Sequence, residues 1–155
     1  MDFLADINNA VPEAILAGFG LVGLLIGAIG GDRISGLLRL LAVVALGAAT
    51  AAAVIQFGRG ESISAFASDP LAPDGLYKAT MFTIFAKVVT YGMAAAALLM
   101  SGGALKSSQM ERYEYPLLIV FASLGAGMML SANDLMTLYV GIETLSLSSY
   151  VLAAF

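Results

Sequence analysis

The sequence predicts an all-α integral membrane protein with five transmembrane helices, and two properties of the chain lead to this prediction. Hydrophobic residues occupy 60% of the 155 positions, and the mean hydropathy is +0.93. Charged residues make up only 12%, about half their share in soluble domains, and they fall between long apolar runs. A membrane helix needs about 20 apolar residues, and the runs have roughly this length.

The five predicted spans form a single membrane domain over residues 1–155. Pro12 suits the first turn of the first helix, and Asn133 or Asp134 suits the N-cap of the last. The link between the fourth and fifth spans is very short, so these helices should be antiparallel neighbours. The connection between the second and third spans is the longest and is predicted to be a turn-rich aqueous loop, with Asp69-Pro70 and Pro73-Asp74-Gly75. The spans are predicted at about 12–30, 35–57, 79–101, 116–130 and 133–155.

The distribution of Lys and Arg predicts the orientation, because short cytoplasmic loops are enriched in these residues. The N-terminus has acidic residues and no basic one, and the second loop carries two bases, Arg59 and Lys78. The first and third loops and the adjoining helix start carry four. The N-terminus is therefore expected on the periplasmic side of a bacterial inner membrane, or the equivalent side of a mitochondrial inner membrane. The four bases expected on the opposite side are Arg33, Arg39, Lys106 and Arg112.

The residue types that are missing exclude several functions. The chain has no Cys, so disulfides and thiolate chemistry are excluded, and it has no His, so imidazole catalysis and His-ligated metals are excluded as well. No basic patch or nucleic-acid motif is present, so no nucleic-acid partner is expected. Proton chemistry in this chain would have to use Asp, Glu, Lys, Tyr, Ser, Thr and water.

Glu143 is the most informative residue, because it lies in the middle of the last apolar run. A charge at membrane depth costs about 2.5–3.5 kcal/mol on insertion scales and usually marks an ion or proton route. On a helix, Tyr139, Ser146 and Tyr150 share its face, and this polar stripe is expected to face the bundle interior or a hydrated cavity. The alternative for the hydroxyl groups alone is that they hold neighbouring helices together.

Lys87 is the second charge within a predicted span, and it shares a helix face with Thr80, Thr83 and Tyr91. Its long side chain suits three roles: reaching the interface, pairing with another residue for structural reasons, or belonging to a proton path. Glu13 lies near the start of the first span and is expected to reach the interface. The glycines of the first span are expected to permit close helix packing; they are Gly18, Gly20, Gly23 and Gly27.

Three segments resemble one protein family. Tyr139-Val-Gly-Ile-Glu143-Thr-Leu-Ser-Leu-Ser-Ser-Tyr-Val-Leu-Ala-Ala-Phe155 closely resembles the fifth membrane helix of subunit N of bacterial NADH:quinone oxidoreductase, respiratory complex I, which is subunit 2 in mitochondria. Pro12-Glu13-Ala-Ile-Leu-Ala is similar to the opening helix of that family. Glu114-Tyr-Pro-Leu-Leu-Ile-Val-Phe-Ala-Ser-Leu-Gly-Ala-Gly-Met-Met-Leu-Ser-Ala-Asn-Asp134 is similar to its fourth. The resemblance covers the whole chain.

The resemblance implies that the chain is the N-terminal part of a fourteen-helix antiporter-like subunit in the membrane arm of the complex. Such a subunit binds no cofactor and performs no redox catalysis itself, while the complex as a whole carries FMN, iron–sulfur clusters and quinone. Its partners are the lipid bilayer and other membrane-arm subunits, especially antiporter-like ones. Glu143 matches a glutamate thought to pair with a lysine on a later helix during proton translocation, and Lys87 matches a basic position often seen in the third helix.

Two alternatives remain open. The first is a subunit of a related multi-subunit cation/proton antiporter or membrane-bound hydrogenase, whose membrane helices share the same pattern. The second is a structural membrane subunit, in which Glu143 would be an assembly contact. Because Phe155 ends the sequence inside an apolar run, we expect a fragment, a split gene product or part of a longer subunit.

Overall fold

The computed structural model describes residues 9–58, 63–65, 75–107 and 112–154. Within these ranges the chain forms five α-helices and one two-stranded antiparallel hairpin. The helices are α1 (Val11–Gly30), α2 (Ser35–Gly58), α3 (Met81–Ser107), α4 (Glu114–Ser131) and α5 (Leu135–Ala153), and the strands are β1 (Ile63–Ala65) and β2 (Tyr77–Ala79).

Four segments of the described chain are long and apolar enough to cross a membrane. The first, Val11–Gly58, has 48 residues and contains α1, a short 3-10 turn and α2. A single straight helix of that length would extend about 70 Å. Instead, the Gln56 side-chain amide at the end of α2 donates a hydrogen bond to the Asn9 carbonyl oxygen over 2.8 Å. The segment therefore folds back on itself at the turn, where Gly31 adopts a left-handed conformation with a φ of 60°.

The hairpin of β1 and β2 is the main departure from the predicted architecture. It lies in the connection predicted to be an aqueous loop, and Ser64 pairs with Lys78 at its centre. Strands of three residues give too little alternation of polar and apolar residues to be recognised from sequence. Several residues named in the predictions lie outside the described ranges, namely Arg59, Asp69, Pro70, Pro73, Asp74 and Phe155, together with the side chain of Lys106.

Strand β2 is attached to the link between α4 and α5. The Asn133 amide nitrogen donates to the Leu76 carbonyl oxygen over 3.1 Å, and the Asn133 side chain donates to the Gly75 carbonyl oxygen over 2.7 Å. Tyr77 forms an isolated β-bridge with Ala132. These bonds satisfy the carbonyl groups of Gly75 and Leu76 before β2 and the amide of Asn133 in the link, and they hold Tyr77 at one end of the bundle.

Helices α1 to α4 share one apolar core, and α5 lies at its edge. The core cluster takes Leu16 from α1, an alanine-rich face from α2, Tyr91 and Leu98 from α3, and Val120 and Leu124 from α4. Along α5, by contrast, only Gly141 and Ser148 are buried. One face of α5 is therefore left uncovered by the described residues.

The contact between α4 and α5 is a close approach of two backbones. A Cβ atom at Gly125 would lie 2.6 Å from the Leu145 amide nitrogen and 2.8 Å from the Gly141 carbonyl oxygen. A Cβ atom at Gly141 would lie 3.0 Å from the Met129 amide nitrogen. Positions 125 and 129 thus face positions 145 and 141, which confirms the predicted antiparallel arrangement. The absence of side chains lets the helices meet this closely.

The expected packing role of the glycines in α1 is confirmed at three of the four positions. At Gly18, an added Cβ atom would have no neighbour within 4 Å. At Gly20 and Gly23 it would collide with a side chain of α4, and at Gly27 with Tyr113, the residue just before α4. The pairs are Gly20 with Phe121, Gly23 with Leu117 and Gly27 with Tyr113.

The α4–α5 contact can be tested by adding one methyl group. Gly125→Ala should destabilise the protein by about 1–3 kcal/mol, because the atoms it meets are backbone atoms that cannot move aside cheaply. Thermal unfolding of the purified protein in detergent measures the effect as a lower midpoint. The matched control is Gly47→Ala in α2, where nothing lies within 4 Å. Equal midpoints for the two variants would contradict the close contact.

The start of α5 is capped by a carboxylate. Asp134 is its N-cap, and its side chain accepts hydrogen bonds from the Met136 and Thr137 amides over 2.8 and 3.0 Å. Hydrogen bonds from Thr137 and Met136 lower the pKa of Asp134 below its ordinary value. The stabilisation by this cap is therefore fully present above the ordinary Asp pKa and is lost as the pH falls through the lowered one.

We expect Asp134→Ala to accelerate hydrogen exchange at the Met136 and Thr137 amides, with Asp134→Asn retaining most of the protection because an amide oxygen also caps helices. Exchange measured by mass spectrometry and corrected for intrinsic rates provides the comparison. Unchanged exchange in the Ala variant would show that the cap does not hold these amides.

Candidate functional site

A buried ion pair joins α1 to α3. The Glu13 carboxylate, in the first turn of α1, contacts the Lys87 ammonium group of α3. Lys87 has no exposed surface, and Glu13 is only 8% exposed. Two charges removed from water in this way are stable only while they face each other, because an unpaired buried charge is very costly.

The first turns of α1 and α3 determine the positions of Glu13 and Lys87. Pro12 occupies the first turn of α1, where its restricted backbone favours a helix. At the start of α3, the Thr80 amide donates to the Thr83 hydroxyl over 2.7 Å, and the Thr83 amide donates to the Thr80 hydroxyl over 3.3 Å. This reciprocal cap orients the first turn of α3. Lys87 follows Thr83 by four residues on the same face and is thereby directed toward Glu13.

Two tyrosine hydroxyls complete the cluster. The Tyr77 hydroxyl accepts a hydrogen bond from the Lys87 ammonium group over 2.8 Å and donates to Glu13 Oε2 over 3.4 Å. The Tyr91 hydroxyl donates to Glu13 Oε1 over 3.4 Å. The Lys87 nitrogen also lies 4.7 Å from the centre of the Tyr77 ring, a distance suited to a cation–π contact. We call Glu13, Tyr77, Lys87 and Tyr91 the paired cluster.

The paired cluster corrects two expectations from the sequence. Glu13 does not reach the interface, since Tyr77 of β2 and Tyr91 of α3 enclose its carboxylate. Lys87 does not reach the interface either, since its side chain is completely buried. Of the three roles considered for Lys87, the structure shows the pairing with another residue, namely Glu13. Burial and the negative charge of Glu13 raise the pKa of Tyr77, so this hydroxyl stays protonated and available as a donor.

Gly127 makes room for the paired cluster. A Cβ atom at this position would overlap the Tyr91 hydroxyl and would lie 3.3 Å from Glu13 Oε1. Glu13 could not be recognised as a candidate from sequence, because its partners lie 64 and more residues away along the chain. The helical spacing of Lys87 and Tyr91 was the available signal, because these two of the four residues on that predicted face join the cluster.

A cavity of about 380 Å³ opens beside the paired cluster. Most of its lining is apolar, and its polar lining residues are Glu13, Tyr77 and Thr137. The remaining lining residues come from α1, α4 and the segments that precede α1 and β2, and they are Ala10, Ala14, Ala17, Leu76, Leu124 and Met128. Glu13 is thus enclosed by protein but borders a space large enough for several water molecules.

Buried polar atoms without a well-formed hydrogen bond lie at the same end of the bundle. They are Ser131 Oγ at the end of α4, Gln56 Oε1 at the end of α2 and Asp134 Oδ1 at the start of α5. Ser131 is 1% exposed and its hydroxyl lies beside that of Tyr77. Among the residues that the structure describes, no group of three acidic side chains is suited to a metal ion.

The polar stripe of α5 has different surroundings. Tyr139 and Tyr150 are 60% and 71% exposed, and Glu143 and Ser146 are half-buried. Within the described residues the stripe lies on the face of α5 that no other described element covers, so its expected position toward a bundle interior or a hydrated cavity stays a prediction. The Tyr139 hydroxyl interacts with the Glu143 carboxylate. Lys87, the other charge that the sequence places within a span, is engaged by Glu13 rather than by Glu143.

The neighbouring hydroxyls of α5 are bound to their own helix. Thr144, Ser148 and Ser149 each donate to the carbonyl oxygen four residues earlier, over 2.7–2.8 Å. Such bonds satisfy a hydroxyl group without any partner helix. These three residues thus follow a structural pattern, while Tyr139 and Glu143 remain the interacting pair of the stripe.

Comparison with known proteins gives consistent results over the whole chain. It is 52% identical over 155 residues to NADH-quinone oxidoreductase subunit N of Hirschia baltica, covering 100% of this chain and 31% of the relative. Proteins of the same name from Rhodospirillum rubrum and Sphingopyxis alaskensis are 41% and 40% identical, covering 96% and 97% of this chain and 29% of each relative. No protein-family model matches the chain.

A solved structure supports the fold. A chain of respiratory complex I from Thermus thermophilus, determined with bound aureothin, superimposes with a TM-score of 0.74 and 22% sequence identity. The match covers 93% of this chain and 29% of that one. The chain thus spans about 30% of the length of the relatives it matches.

The coupling within the paired cluster can be measured through stability. Lys87→Met should destabilise the protein by about 3–5 kcal/mol, because it leaves the Glu13 charge buried without a partner. The double variant Glu13→Leu/Lys87→Met should recover most of this loss, because apolar groups of similar volume replace a buried pair at little cost. Thermal unfolding in detergent provides both values. A double variant no more stable than Lys87→Met would contradict the coupling.

Proposed function

This chain is homologous over its whole length to part of subunit N of NADH-quinone oxidoreductase, and on that premise we propose that it serves in the membrane arm of a proton-pumping NADH:quinone oxidoreductase. The identities of 40–52% with proteins of this name support the proposal, and the apolar helices suit a membrane-embedded subunit. The complex would reduce quinone elsewhere, while this subunit would help to move protons across the membrane.

We further propose that α1 to α5 each cross the bilayer and form the N-terminal part of a fourteen-helix antiporter-like fold. The back-folding of Val11–Gly58 supports five crossings rather than four, because each of its two helices has at least 20 residues. The membrane would be the bacterial inner membrane with the N-terminus on the periplasmic side, or the mitochondrial inner membrane. The partners would be other membrane-arm subunits, within a complex that carries its FMN, iron–sulfur and quinone sites elsewhere.

The position of Glu143 is the observation that carries the proposal. It is the ninth residue of the nineteen in α5, so its carboxylate lies near the midpoint of a helix long enough to cross a bilayer. A carboxylate at that depth is costly unless polar groups or a cation accompany it, and such residues usually belong to proton or ion routes. Tyr139 supplies one polar neighbour in the described residues.

In the proposed mechanism, Glu143 takes up and releases a proton as its electrostatic surroundings change. Removal from water favours the neutral acid, and an approaching cation favours the carboxylate. A positive charge that moves toward and away from Glu143 would therefore drive proton release and uptake. Tyr139, Ser146 and Tyr150 would supply hydroxyls along the route on the same face of α5.

Lys87 has a separate position in this proposal. It belongs to the path predicted from sequence, yet the described contacts join it to Glu13 and Tyr77 rather than to the stripe. Its contribution to proton movement would therefore run through the paired cluster. The alternative assignment to a related antiporter or hydrogenase is less well supported, because the relatives from Hirschia, Rhodospirillum and Sphingopyxis all carry the name of subunit N.

The role of Glu143 can be tested in the complete complex. Glu143→Gln should lower coupled proton pumping and NADH:quinone turnover by about tenfold, because the amide cannot exchange a proton with its neighbours. Reconstituted vesicles with a pH-sensitive dye measure pumping beside NADH oxidation. The matched control is Glu114→Gln at the start of α4, which makes the same chemical change away from the membrane centre.

The outcomes separate the function from a purely structural role. An assembled Glu143→Gln complex with normal pumping and turnover would remove Glu143 from the mechanism. If the variant complex fails to assemble while the control assembles, Glu143 is an assembly contact and the structural alternative is supported.

A further inference from the structure

We propose that the paired cluster is a second protonatable site of this subunit, hydrated from the hairpin end of the bundle and separate from Glu143. Its members are Glu13, Tyr77, Lys87 and Tyr91. The existence of this site follows from the geometry of the chain, and its contribution to pumping rests on the proposed function.

Stabilisation of the fold does not by itself explain why this buried ion pair occurs. Removing two charges from water is costly for each ion, and replacing a buried pair with packed apolar residues is often neutral or stabilising. A lysine with no exposed surface and its carboxylate partner therefore suggest a use for ionisable groups at this depth. Both charged groups also contact tyrosine hydroxyls, which can accept one proton while releasing another, as carbonyl oxygens cannot.

Ser131 provides an independent indication of a small polar ligand. Its hydroxyl is buried beside Tyr77 and lacks a well-formed hydrogen bond. An unsatisfied buried hydroxyl is destabilising, and ordered water is the usual partner of such groups. A water bound there would contact Ser131 and Tyr77, and Tyr77 already bonds to both members of the ion pair.

The cavity gives a second approach to the same pair. Glu13, Tyr77 and Thr137 are its polar lining residues, and the rest of the lining is apolar. Because nearly all of the lining is apolar, most of the cavity would stay dry, and any water in it would lie beside Glu13, Tyr77 and Thr137. Glu13 is then the member of the cluster that receives protons, and Tyr77 is the link between the two hydrated positions.

The proton movement can be written so that every proton is accounted for. In the resting pair, Glu13 is ionised and Lys87 carries its proton. A proton delivered by cavity water neutralises Glu13 and weakens the attraction that holds the Lys87 proton. Lys87 then passes its proton to the Tyr77 oxygen, while the Tyr77 hydroxyl proton moves to water beside Ser131. Transfer of the proton from Glu13 to the neutral Lys87 amine restores the pair, and one proton has passed.

The paired cluster is distinct from the Glu143 site. Its members come from α1, α3 and β2, and their hydrogen bonds and ion pair, within the part of the chain that the structure describes, connect them to one another rather than to the stripe on α5. Glu143 interacts with Tyr139 on the uncovered face of α5, whereas Gly127 of α4 packs against the paired cluster. A substitution at one site therefore leaves these contacts of the other intact.

The second site can be tested in the complete complex reconstituted in vesicles. Glu13→Leu/Lys87→Met should assemble, yet its ratio of protons pumped to NADH oxidised should fall measurably below that of the wild type. Tyr77→Phe should lower the ratio in the same direction, because it breaks the link to Ser131 while the ion pair remains. Tyr113→Phe is the matched control, since Tyr113 lies at the other end of the bundle against Gly27.

Difference infrared spectroscopy supplies a readout that does not depend on pumping. During turnover, a protonated carboxyl band that shifts in D₂O and persists in Glu143→Gln should be missing in Glu13→Gln, while the band of Glu143 itself remains there. Wild-type pumping ratios in both the double variant and Tyr77→Phe would overturn the inference. If the double variant does not assemble, Tyr77→Phe and the infrared band decide in the same way.

The same preparation separates the two proposals. Loss of pumping in Glu143→Gln with normal ratios in the paired-cluster variants would overturn only the second site. Normal pumping in Glu143→Gln with a missing carboxyl band in Glu13→Gln would overturn the mechanism proposed for Glu143 and retain the second site.

Discussion

The arrangement of one end of this bundle depends on the buried contact between Glu13 and Lys87. Neither charge is tolerable without the other, so α1 and α3 must keep the register that brings them together. The contact also requires Tyr77, which arrives from β2, and a glycine at position 127, which admits the Tyr91 hydroxyl. One polar interaction thereby constrains three helices and the hairpin, in a bundle whose shared core is apolar.

The opposite edge of the bundle follows a different principle. Helix α5 is held to α4 through the backbone contact at Gly125 and Gly141, which needs no polar side chain. This contact occupies one face of α5 and leaves the face that carries Glu143 uncovered by the described residues. The two acids therefore occupy opposite kinds of surroundings: Glu13 is enclosed by its partners, and Glu143 is presented at an edge with Tyr139 beside it.

Local sequence patterns were sufficient to predict the helices but insufficient to predict the paired cluster. Apolar runs indicated where helices lie, Asp134 was one of two expected caps, and the short link after α4 predicted its antiparallel packing. The prediction for Glu13 was wrong because the residues that bury it are 64 and 78 positions away, and no residue near Glu13 in the sequence indicates them. The hairpin could not be predicted for a related reason. It is defined by a hydrogen bond from Asn133 and by pairing across the connection, and its own composition does not indicate it.

Glu143 and Lys87 gave the same signal in the sequence, a lone charge in an apolar run, and the structure gives them different partners. Because Lys87 is buried against Glu13, moving it to Glu143 would leave the Glu13 charge unpaired, at a cost of about 3–5 kcal/mol. That cost is comparable to a thousandfold change in an equilibrium, so Lys87 is a poor candidate for the mobile cation. In the proposed mechanism, the positive charge that controls Glu143 must therefore come from a residue other than Lys87.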